Sequence, residues 1–341
     1  MGQNGGGFNR FWRRVWNNPT LEWGCEISPQ GVSLARWNGT GAGIAAAAWR
    51  PLPKGAVEVS PLRENLLQPE QVRQALAGCL ESLGRPNGRQ SAGRPVDTAL
   101  VIPDQAARVF FVTFDEFPSQ PAQAIPLLRW KLKKSVPFDI EASTISYLAQ
   151  HQGGEWQILA VVSPEVIVRQ YESLAEELGL KPRFVTLSTI GSLGLVPSSE
   201  NGVAASGSEP AADSFLVAKY SPPWLTTTIL YEGSVRLFRT VAIAANGSGE
   251  LPPDSLGEIL EAIHPSAAYF QDNFGRPLEL AYLCGLGEVT QAIADSLSKE
   301  LHLPARALLQ DSAPPAPGWG QQDAERHLSA LIGILRERRR G

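Results

Sequence analysis

The chain has 341 residues, of which 43% are hydrophobic and nine are tryptophans. This length and apolar content predict two domains of ordinary size and exclude global disorder. The formal net charge of −4 gives no basis for a nucleic-acid partner. Three widely spaced cysteines, Cys25, Cys79 and Cys284, indicate a reducing compartment and form neither a disulfide framework nor a zinc site. No apolar run approaches the roughly 20 residues that a spanning helix needs, and no signal peptide is visible, so a cytoplasmic protein is predicted.

Residues 1–18 predict a flexible tail followed by a short amphipathic helix. Aromatic residues recur there at helical spacing with arginines between them, and they are Phe8, Phe11, Trp12 and Trp16. Two interpretations stay open. The helix is an interfacial anchor that contacts anionic lipid or a partner helix, or it docks on the protein's own core, because about nine residues is short for independent membrane binding.

From residue 21 the apolar pattern changes to period two and predicts a three-stranded meander. The predicted strands are Leu21–Ile27, Val32–Trp37 and Ile44–Arg50, followed by the helix Gln68–Gly84. The same order recurs with strands Phe215–Tyr220, Trp224–Tyr231 and Val235–Ile243, followed by a helix that Asp254 is predicted to cap and Pro265 to bend. Even the first turns match, because Ser28-Pro29 corresponds to Ser221-Pro222. Such an internal duplication predicts a duplicated α/β fold.

A compact module lies between the two repeats. Its predicted elements are the strands Thr98–Ile102 and Arg108–Phe114, the helix Gln120–Ser135, the strands Ser143–Leu148 and Trp156–Val162, and a helix that Ser163 caps and Gly179 ends. After the second repeat come a strand Leu278–Cys284, a helix Glu288–Leu301 and a final helix carrying Leu328, Leu331 and Leu335. The predicted segments are 1–18, 19–96 (first lobe), 97–180 (module), 181–197 (return to the first lobe), 198–212 (linker), 213–312 (second lobe), 313–320 (linker) and 321–341 (helix returning to the first lobe).

Two stretches of the module carry a resemblance to a known family. They are Ala99–Asp104, which ends in Pro-Asp, and the basic run Leu128–Asp139, which closes in Pro-Phe-Asp. Tyr269–Gly275 and Leu331–Arg336 match further stretches. The chain resembles PilM, the cytoplasmic actin-like protein of type IV pilus assembly, more closely than its relative FtsA, with the secretion protein GspL as the next neighbour. The resemblance covers about Leu21 to Arg336 and implies a duplicated actin-like (ribonuclease H-like) fold of two lobes, with the FtsA/PilM-type extra subdomain at 97–180.

The resemblance also implies a partner. This is the cytoplasmic N-terminal peptide of a PilN-like inner-membrane protein, held in a groove between the module and the first lobe, alongside other pilus assembly proteins. The matching run places candidate partner-binding residues at Arg129, Trp130, Lys133, Pro137 and Phe138. The alternative interpretation is a solvated basic face near the end of a helix. The implied location is cytoplasmic and peripheral to the inner membrane, reached through partners.

A nucleotide between the lobes is the family's further implication, with its phosphates held by the two hairpin turns and Mg²⁺ organised by acidic residues. The candidate positions are Glu26, Ser28, Gln30, Gly31, Tyr220, Ser221, Gly285 and Gly287. The motifs are degenerate, because Pro29, Pro222 and Pro223 carry no N–H and Ala218 stands where an acidic residue is expected. Each lost charge-assisted hydrogen bond removes about 1.5–3 kcal/mol, so tight binding of ATP with Mg²⁺ is not expected.

No catalytic residue and no metal site are predicted, because the four histidines are isolated and no hydrolase or phosphate-loop signature occurs. The sequence therefore predicts a PilM-like adaptor or scaffold that is not an enzyme. Two alternatives stay open: a working ATP-binding actin-like switch, motivated by Glu26, Gly285 and Gly287, and an FtsA-like membrane-associated filament protein, motivated by the N-terminal aromatic helix. The sequence does not distinguish a pilus from a related type II secretion machine.

Overall fold

A computed structural model describes residues 21–38, 43–84, 95–196, 212–244, 251–252, 255–310 and 316–337. The predicted N-terminal helix with Phe8, Phe11, Trp12 and Trp16, the capping residue Asp254 and almost all of the linker 198–212 lie outside these ranges. Within them, no helix combines the length and the apolar character needed to cross a membrane.

Thirteen strands and seven helices are named here in chain order. The strands are β1 (Trp23–Ile27), β2 (Gly31–Trp37), β3 (Ile44–Pro51), β4 (Val96–Ile102), β5 (Arg108–Phe114), β6 (Ser143–Gln152), β7 (Glu155–Pro164), β8 (Leu180–Leu187), β9 (Ser214–Ser221), β10 (Trp224–Tyr231), β11 (Ser234–Ala242), β12 (Leu280–Cys284) and β13 (Ala305–Ala307). The helices are α1 (Pro69–Leu83), α2 (Pro121–Leu132), α3 (Glu165–Glu177), α4 (Ser188–Ser192), α5 (Leu256–Phe274), α6 (Thr290–Leu301) and α7 (Gln321–Glu337).

The predicted duplication is confirmed by two sheets with the same strand order. One sheet runs β3-β2-β1-β4-β8 and the other β11-β10-β9-β12-β13. In both, the first strand of the meander pairs parallel with the strand that follows the intervening segment, β1 with β4 and β9 with β12. Each sheet then gains one further parallel edge strand, β8 or β13. The period-two meanders therefore correctly predicted the duplication and the three meander strands of each sheet.

The edge strands β8 and β13 were not predicted from the sequence. β8 contains Pro182, which cannot donate to a ladder, and its pairing with β4 shifts register between Thr98 and Ala99 beside that proline. β13 has only three residues, all half-buried. Both lie at the edge of their sheets, where a proline or a short strand is tolerated and the apolar alternation is weak.

The chain divides into two compact units. Among the described residues, the first unit comprises those within 21–34 and 48–188, and the second comprises those within 35–47 and 189–337. The predicted module belongs to the first unit, and the second repeat with α7 belongs to the second. The segment boundaries predicted from the sequence do not coincide with these two units, and they stay a prediction.

The module contains a third, antiparallel sheet of order β5-β7-β6. α2 covers one face of this sheet, where Leu128 and Leu132 pack with Ile158 and Val162. α2 ends at Leu132, three residues before the predicted end at Ser135. The sheet has an outer strand at each side, and β5 is one of them.

Ser163 does not cap the following helix as predicted. β7 continues through Pro164, α3 begins at Glu165, and no side chain caps its first turn. Instead, the Ser163 hydroxyl donates to the Ala106 carbonyl at 2.8 Å, which ties β7 to the start of β5. The hydroxyl is buried, so this bond satisfies a donor that water cannot reach.

Helix α7 packs against the segment 189–195 at backbone contact. A Cβ placed on Gly333 would lie 2.2 Å from the Gly191 carbonyl oxygen, and one on Gly194 would lie 2.5 Å from the Gly333 carbonyl oxygen. Buried polar groups reinforce the same region, because the Lys219 ammonium of β9 donates to the Ser192 hydroxyl at 2.7 Å. The second unit is therefore held together by glycines that let two backbones touch.

Glu325 of α7 is buried and makes stability depend on pH. Its carboxylate accepts the Leu309 backbone N–H at 2.8 Å, yet burial raises the pKa of the carboxyl from 4.5 to about 7. This carboxyl therefore binds more protons in the folded than in the unfolded state between these values, and its contribution to stability falls as the pH rises through this window.

We expect Glu325→Gln to remove this loss while keeping the acceptor for Leu309. Relative to wild type, the variant should gain stability on the order of 2 kcal/mol between pH 4.5 and pH 7, measured as the difference in Tm at each pH. Burial lowers the pKa of His327 to about 4, so its contribution to stability rises with pH. His327 is present in both proteins, and its contribution therefore cancels from the difference in Tm. A difference in Tm that is constant with pH would contradict this account.

Candidate functional site

The first hairpin turn is closed by its own hydrogen bonds. The Ser28 N–H donates to the Gly31 carbonyl at 3.0 Å, and the Gly31 N–H donates to the Ser28 carbonyl at 3.3 Å. The Ser28 hydroxyl donates to the Gly31 carbonyl at 3.0 Å and lies 3.3 Å from the Gly31 nitrogen. The amide and the hydroxyl that a phosphate would need are thus already engaged within the turn.

This turn is also fastened to β3. The Gln30 carbonyl accepts the Leu52 N–H at 3.0 Å. A Cβ on Gly31 would lie 2.4 Å from the Arg50 carbonyl oxygen and 2.5 Å from Nε1 of Trp49. Gly31 is absent from the residues with positive φ. Close approach of β3, rather than backbone conformation, therefore explains why glycine stands here.

Glu26 retains the charge of the family motif but has a protein partner. Its side chain is half-buried near the end of β1, and Oε1 accepts the hydroxyl of Ser188 at 2.5 Å. A short hydrogen bond to a carboxylate is a strong one. Sequence reasoning did not identify Ser188, because it lies some 160 residues from Glu26 and begins the short helix α4.

The second hairpin turn lacks amide donors. β9 and β10 are joined through Pro222 and Pro223, with Ser221 directly opposite Trp224 and a cis peptide bond between the prolines. Neither proline has an N–H. The second turn therefore differs from a phosphate-binding turn in its covalent chemistry.

Tyr220 fills part of the core beside this turn. Its side chain is 3% exposed and belongs to the apolar cluster of the second unit. Its hydroxyl is buried and has no hydrogen-bond partner among the described residues. Burial raises the pKa of Tyr220 to about 12, an effect that the nearby Arg326 cation partly offsets. A phenol therefore stands where the family pattern expects a glycine.

Gly285 and Gly287 adopt left-handed conformations with φ of +75° and +61°, which glycine adopts most readily. A Cβ on Gly285 would lie 2.5 Å from the Tyr220 carbonyl oxygen, so the loop packs directly on β9. A Cβ on Gly287 would lie 2.9 Å from Nη2 of Arg326. The structure thus brings together Tyr220, Gly285 and Gly287, and adds an arginine from α7 that the sequence did not suggest.

A further backbone donor of the second unit is engaged as well. The Ala244 N–H lies 3.1 and 3.2 Å from the two carboxylate oxygens of Glu258, which belongs to α5. At the first turn the Ser28 and Gly31 N–H groups are therefore engaged within the turn, and at the second turn Pro222 and Pro223 have no N–H. These residues do not fit the phosphates of a nucleoside triphosphate in the way that the fold family implies.

Arg129, a predicted partner-binding residue, holds the module together. Its Nη1 donates to the carbonyls of Ile140 and Glu141 at 2.7 and 2.6 Å, and its Nη2 donates to that of Ser143 at 3.0 Å. A planar guanidinium suits such multiple acceptors. The side chain fixes the segment after α2 onto the helix.

The other predicted partner-binding residues occupy different surroundings. Trp130 is 74% exposed, and Lys133 and Pro137 are exposed as well. Phe138 is half-buried and packs against the module core. Of the five residues, the structure leaves Trp130, Lys133 and Pro137 at the surface.

The sheet face opposite α2 carries apolar side chains that sequence reasoning missed. Val109 pairs with Val161, and Phe111 pairs with Leu159, so these four residues share one face. Phe111 is 42% exposed and the other three are half-buried. The sequence of β5 could have indicated this apolar face, because its residues are apolar at both alternating positions. That pattern is typical of a strand covered on both faces.

Two further exposed apolar residues belong to the same unit, one at the start of α3 and one in a loop bound to α3. Val166, in the first turn of α3, is 62% exposed and Leu62 is 61% exposed. The loop that carries Leu62 is anchored to α3, because the Asn65 N–H donates to Gln170 at 2.9 Å. Val166 lies one helical turn before Gln170 on the same side of α3. We refer to Leu62, Val109, Phe111, Val161 and Val166 as the apolar stripe.

Comparisons with known proteins give a fold and no close relative. No protein-family model matches the chain, and no curated protein matches it. Among solved structures, a PilM–PilN type IV pilus biogenesis complex aligns with a TM-score of 0.67 and 17% identity, covering 93% of this chain and 98% of that chain. The cytoplasmic domain of EpsL, an inner-membrane component of the type II secretion system of Vibrio cholerae, aligns with a TM-score of 0.48 and 11% identity over 91% of this chain and 94% of that one. The chain adopts the duplicated actin-like fold that the sequence resemblance predicted, and that PilM–PilN structure shares it.

Proposed function

We propose that this chain is a non-enzymatic adaptor of a type IV pilus or related secretion machine. It holds the extended cytoplasmic N-terminal peptide of a PilN-like inner-membrane protein and, through it, joins other assembly proteins at the membrane. The observation that carries the proposal is the apolar stripe beside the edge strand β5. The likeness to a PilM–PilN complex supports the identity of the partner.

An edge strand is a natural place for an extended peptide. β5 pairs with β7 on one side, and no other described strand pairs with its free side. Such an edge presents unpaired N–H and C=O groups, and a peptide that adds as a strand engages them while its alternate side chains enter apolar contacts. Phe111, Val166 and Leu62 provide those contacts within the first unit.

The proposal includes the absence of nucleotide turnover. The engaged turn at Ser28–Gly31, the prolines at 222 and 223 and the buried Tyr220 support it. The competing function is an ATP-binding switch, favoured by Glu26 and by the left-handed glycines 285 and 287. Calorimetric titration with Mg·ATP separates the two, because micromolar binding heat would support the switch and no heat supports the adaptor.

Phe111→Ser is expected to weaken peptide binding at least about tenfold, because an aromatic anchor buried on binding contributes roughly 2 kcal/mol or more. The measurement is fluorescence anisotropy with a labelled cytoplasmic N-terminal peptide of a PilN-like protein encoded nearby. Tyr269→Ser is the matched control, since Tyr269 is 40% exposed and lies in the second unit. Its affinity should equal that of wild type.

Thermal unfolding shows whether either variant is folded. Because both side chains are only partly exposed, to about the same degree, each substitution should lower stability by about 1 kcal/mol, the usual size for a point mutant. The adaptor proposal fails if the wild-type protein does not bind the peptide. The stripe is the wrong surface if Phe111→Ser and Tyr269→Ser bind it equally well.

A further inference from the structure

The outer face of α2 carries the most exposed large apolar side chain of the described residues, Trp130, at 74%. Successive residues of a helix turn by about 100°, so Trp130 lies on the side opposite Leu128 and Leu132, which pack into the module core. An isolated leucine at a surface is ordinary, but a nearly bare indole in an otherwise well-packed module suggests a function in contact with another surface.

Two lysines follow Trp130 just beyond the end of α2. Lys133, whose backbone is still in the helical region, and Lys134 come three and four residues after Trp130, the helical spacing that brings side chains together, and both are exposed. Neither forms an ion pair within the described part of the chain. The nearby carboxylates have other partners, because Glu141 pairs with Arg129 at 3.5 Å and Asp139 accepts the Glu141 N–H at 2.9 Å. We call Trp130, Lys133 and Lys134 the basic–aromatic patch.

We propose that the basic–aromatic patch contacts the anionic surface of a lipid bilayer. An indole ring is favourable at the level of the headgroups, and lysines are attracted to the negative potential of anionic lipids. The chain has a formal net charge of −4, so a local cluster of cations determines which side faces such a surface. This contact does not depend on peptide binding.

The geometry favours a bilayer over a peptide as the occupant. Trp130 is 74% exposed, so neighbouring elements do not enclose it as the walls of a peptide groove would, whereas a bilayer needs only one exposed face. The chain's own terminal segments, with Arg10, Arg13 and Arg14 before the described residues and Arg338–Arg340 after them, carry the same sign of charge. They therefore do not complement the patch.

The patch and the apolar stripe lie on opposite sides of the module. α2 covers one face of the β5-β7-β6 sheet, and the stripe residues Val109, Phe111 and Val161 lie on the other. A bilayer at the patch therefore leaves the stripe accessible. The contact would orient the module relative to the membrane while a peptide from a membrane partner is bound.

Vesicle flotation of the full chain tests the proposal. Wild type should bind vesicles of phosphatidylcholine containing about 30% phosphatidylglycerol at about 50 mM NaCl, and should bind much less at about 300 mM NaCl or to pure phosphatidylcholine. Each lysine near an anionic surface strengthens binding about fivefold. The variant K133Q/K134Q should therefore lower the partition coefficient by about tenfold or more.

Matched variants make the test specific. K54Q/K181Q removes the same charge from two exposed lysines of the first unit and should bind like wild type. Trp130→Ser should weaken binding, whereas Tyr269→Ser should not. F11S/W12S reports any contribution of the N-terminal aromatic segment.

Three results would overturn the proposal. The first is no binding of wild type to anionic vesicles, and the second is equal binding of K133Q/K134Q and K54Q/K181Q. The third is complete loss of binding in F11S/W12S together with no loss of binding in K133Q/K134Q. The Phe111→Ser peptide titration is separate, so failure of the membrane contact leaves the adaptor proposal standing, and the reverse also holds.

Discussion

Replacing Gly333 with alanine is expected to lower the free energy of unfolding by at least about 3 kcal/mol. The new Cβ would lie 2.2 Å from the Gly191 carbonyl oxygen and 3.2 Å from its carbonyl carbon. Both atoms belong to the backbone, so no side-chain rotation relieves the overlap, and α7 must move away from the segment 189–195. Urea unfolding followed by circular dichroism measures the effect.

Gly257→Ala is the matched control for this substitution. Gly257 also lies in a helix, α5, but a Cβ there has no atom within 4 Å. The same chemical change should raise stability by up to about 1 kcal/mol, because alanine restricts the unfolded chain and favours the helix. Equal effects of the two substitutions would show that close contact with Gly191 is not what requires glycine at position 333.

Gly31→Ala is expected to destabilise the protein by about 2–4 kcal/mol, measured in the same way. The Cβ would lie 2.4 Å from the Arg50 carbonyl oxygen, so the hairpin could not stay against β3. Gly43→Ala, at the residue just before β3, has no atom within 4 Å of the new Cβ and should change stability by no more than about 0.5 kcal/mol.

The Gly31 result also bears on the nucleotide question. A glycine kept only for close approach to a phosphate would tolerate alanine without loss of stability in the absence of ligand. If Gly31→Ala is as stable as wild type, packing does not explain this glycine and the nucleotide interpretation gains support. A large loss of stability would instead show that the packing of the hairpin against β3 requires glycine at position 31.

The meanders and the duplication could be predicted because they depend on local alternation. In β9 the alternate residues Leu216 and Ala218, and in β10 Leu225 and Ile229, pack in one core cluster with α5, and that periodicity is visible in consecutive residues. The same reasoning failed for β8 and β13, whose positions are set by pairing with strands far away in the sequence. Local pattern says little where a strand is short, is interrupted by proline and lies at an edge.

Local sequence patterns predicted even less of the candidate site. The prolines of the second turn were visible in the sequence, since the loss of an N–H is a property of the residue itself. The partners of Glu26, Ala244 and Gly287, namely Ser188, Glu258 and Arg326, were not, because each comes from another element and pairs only when the chain is folded. Arg129 illustrates the converse case, since a basic residue in a matching motif is used for internal carbonyls.

The glycine contact between α7 and residues 189–195 also sets an order of events during synthesis. Gly191 and Gly333 are about 140 residues apart in the sequence, so at bacterial or eukaryotic elongation rates the first waits roughly 10 to 30 s on the ribosome before its partner exists. Over that interval the apolar surface that α7 later covers is exposed in the nascent chain. Transiently exposed apolar surface is prone to aggregation, so we expect holdase chaperones to bind the unfinished second unit.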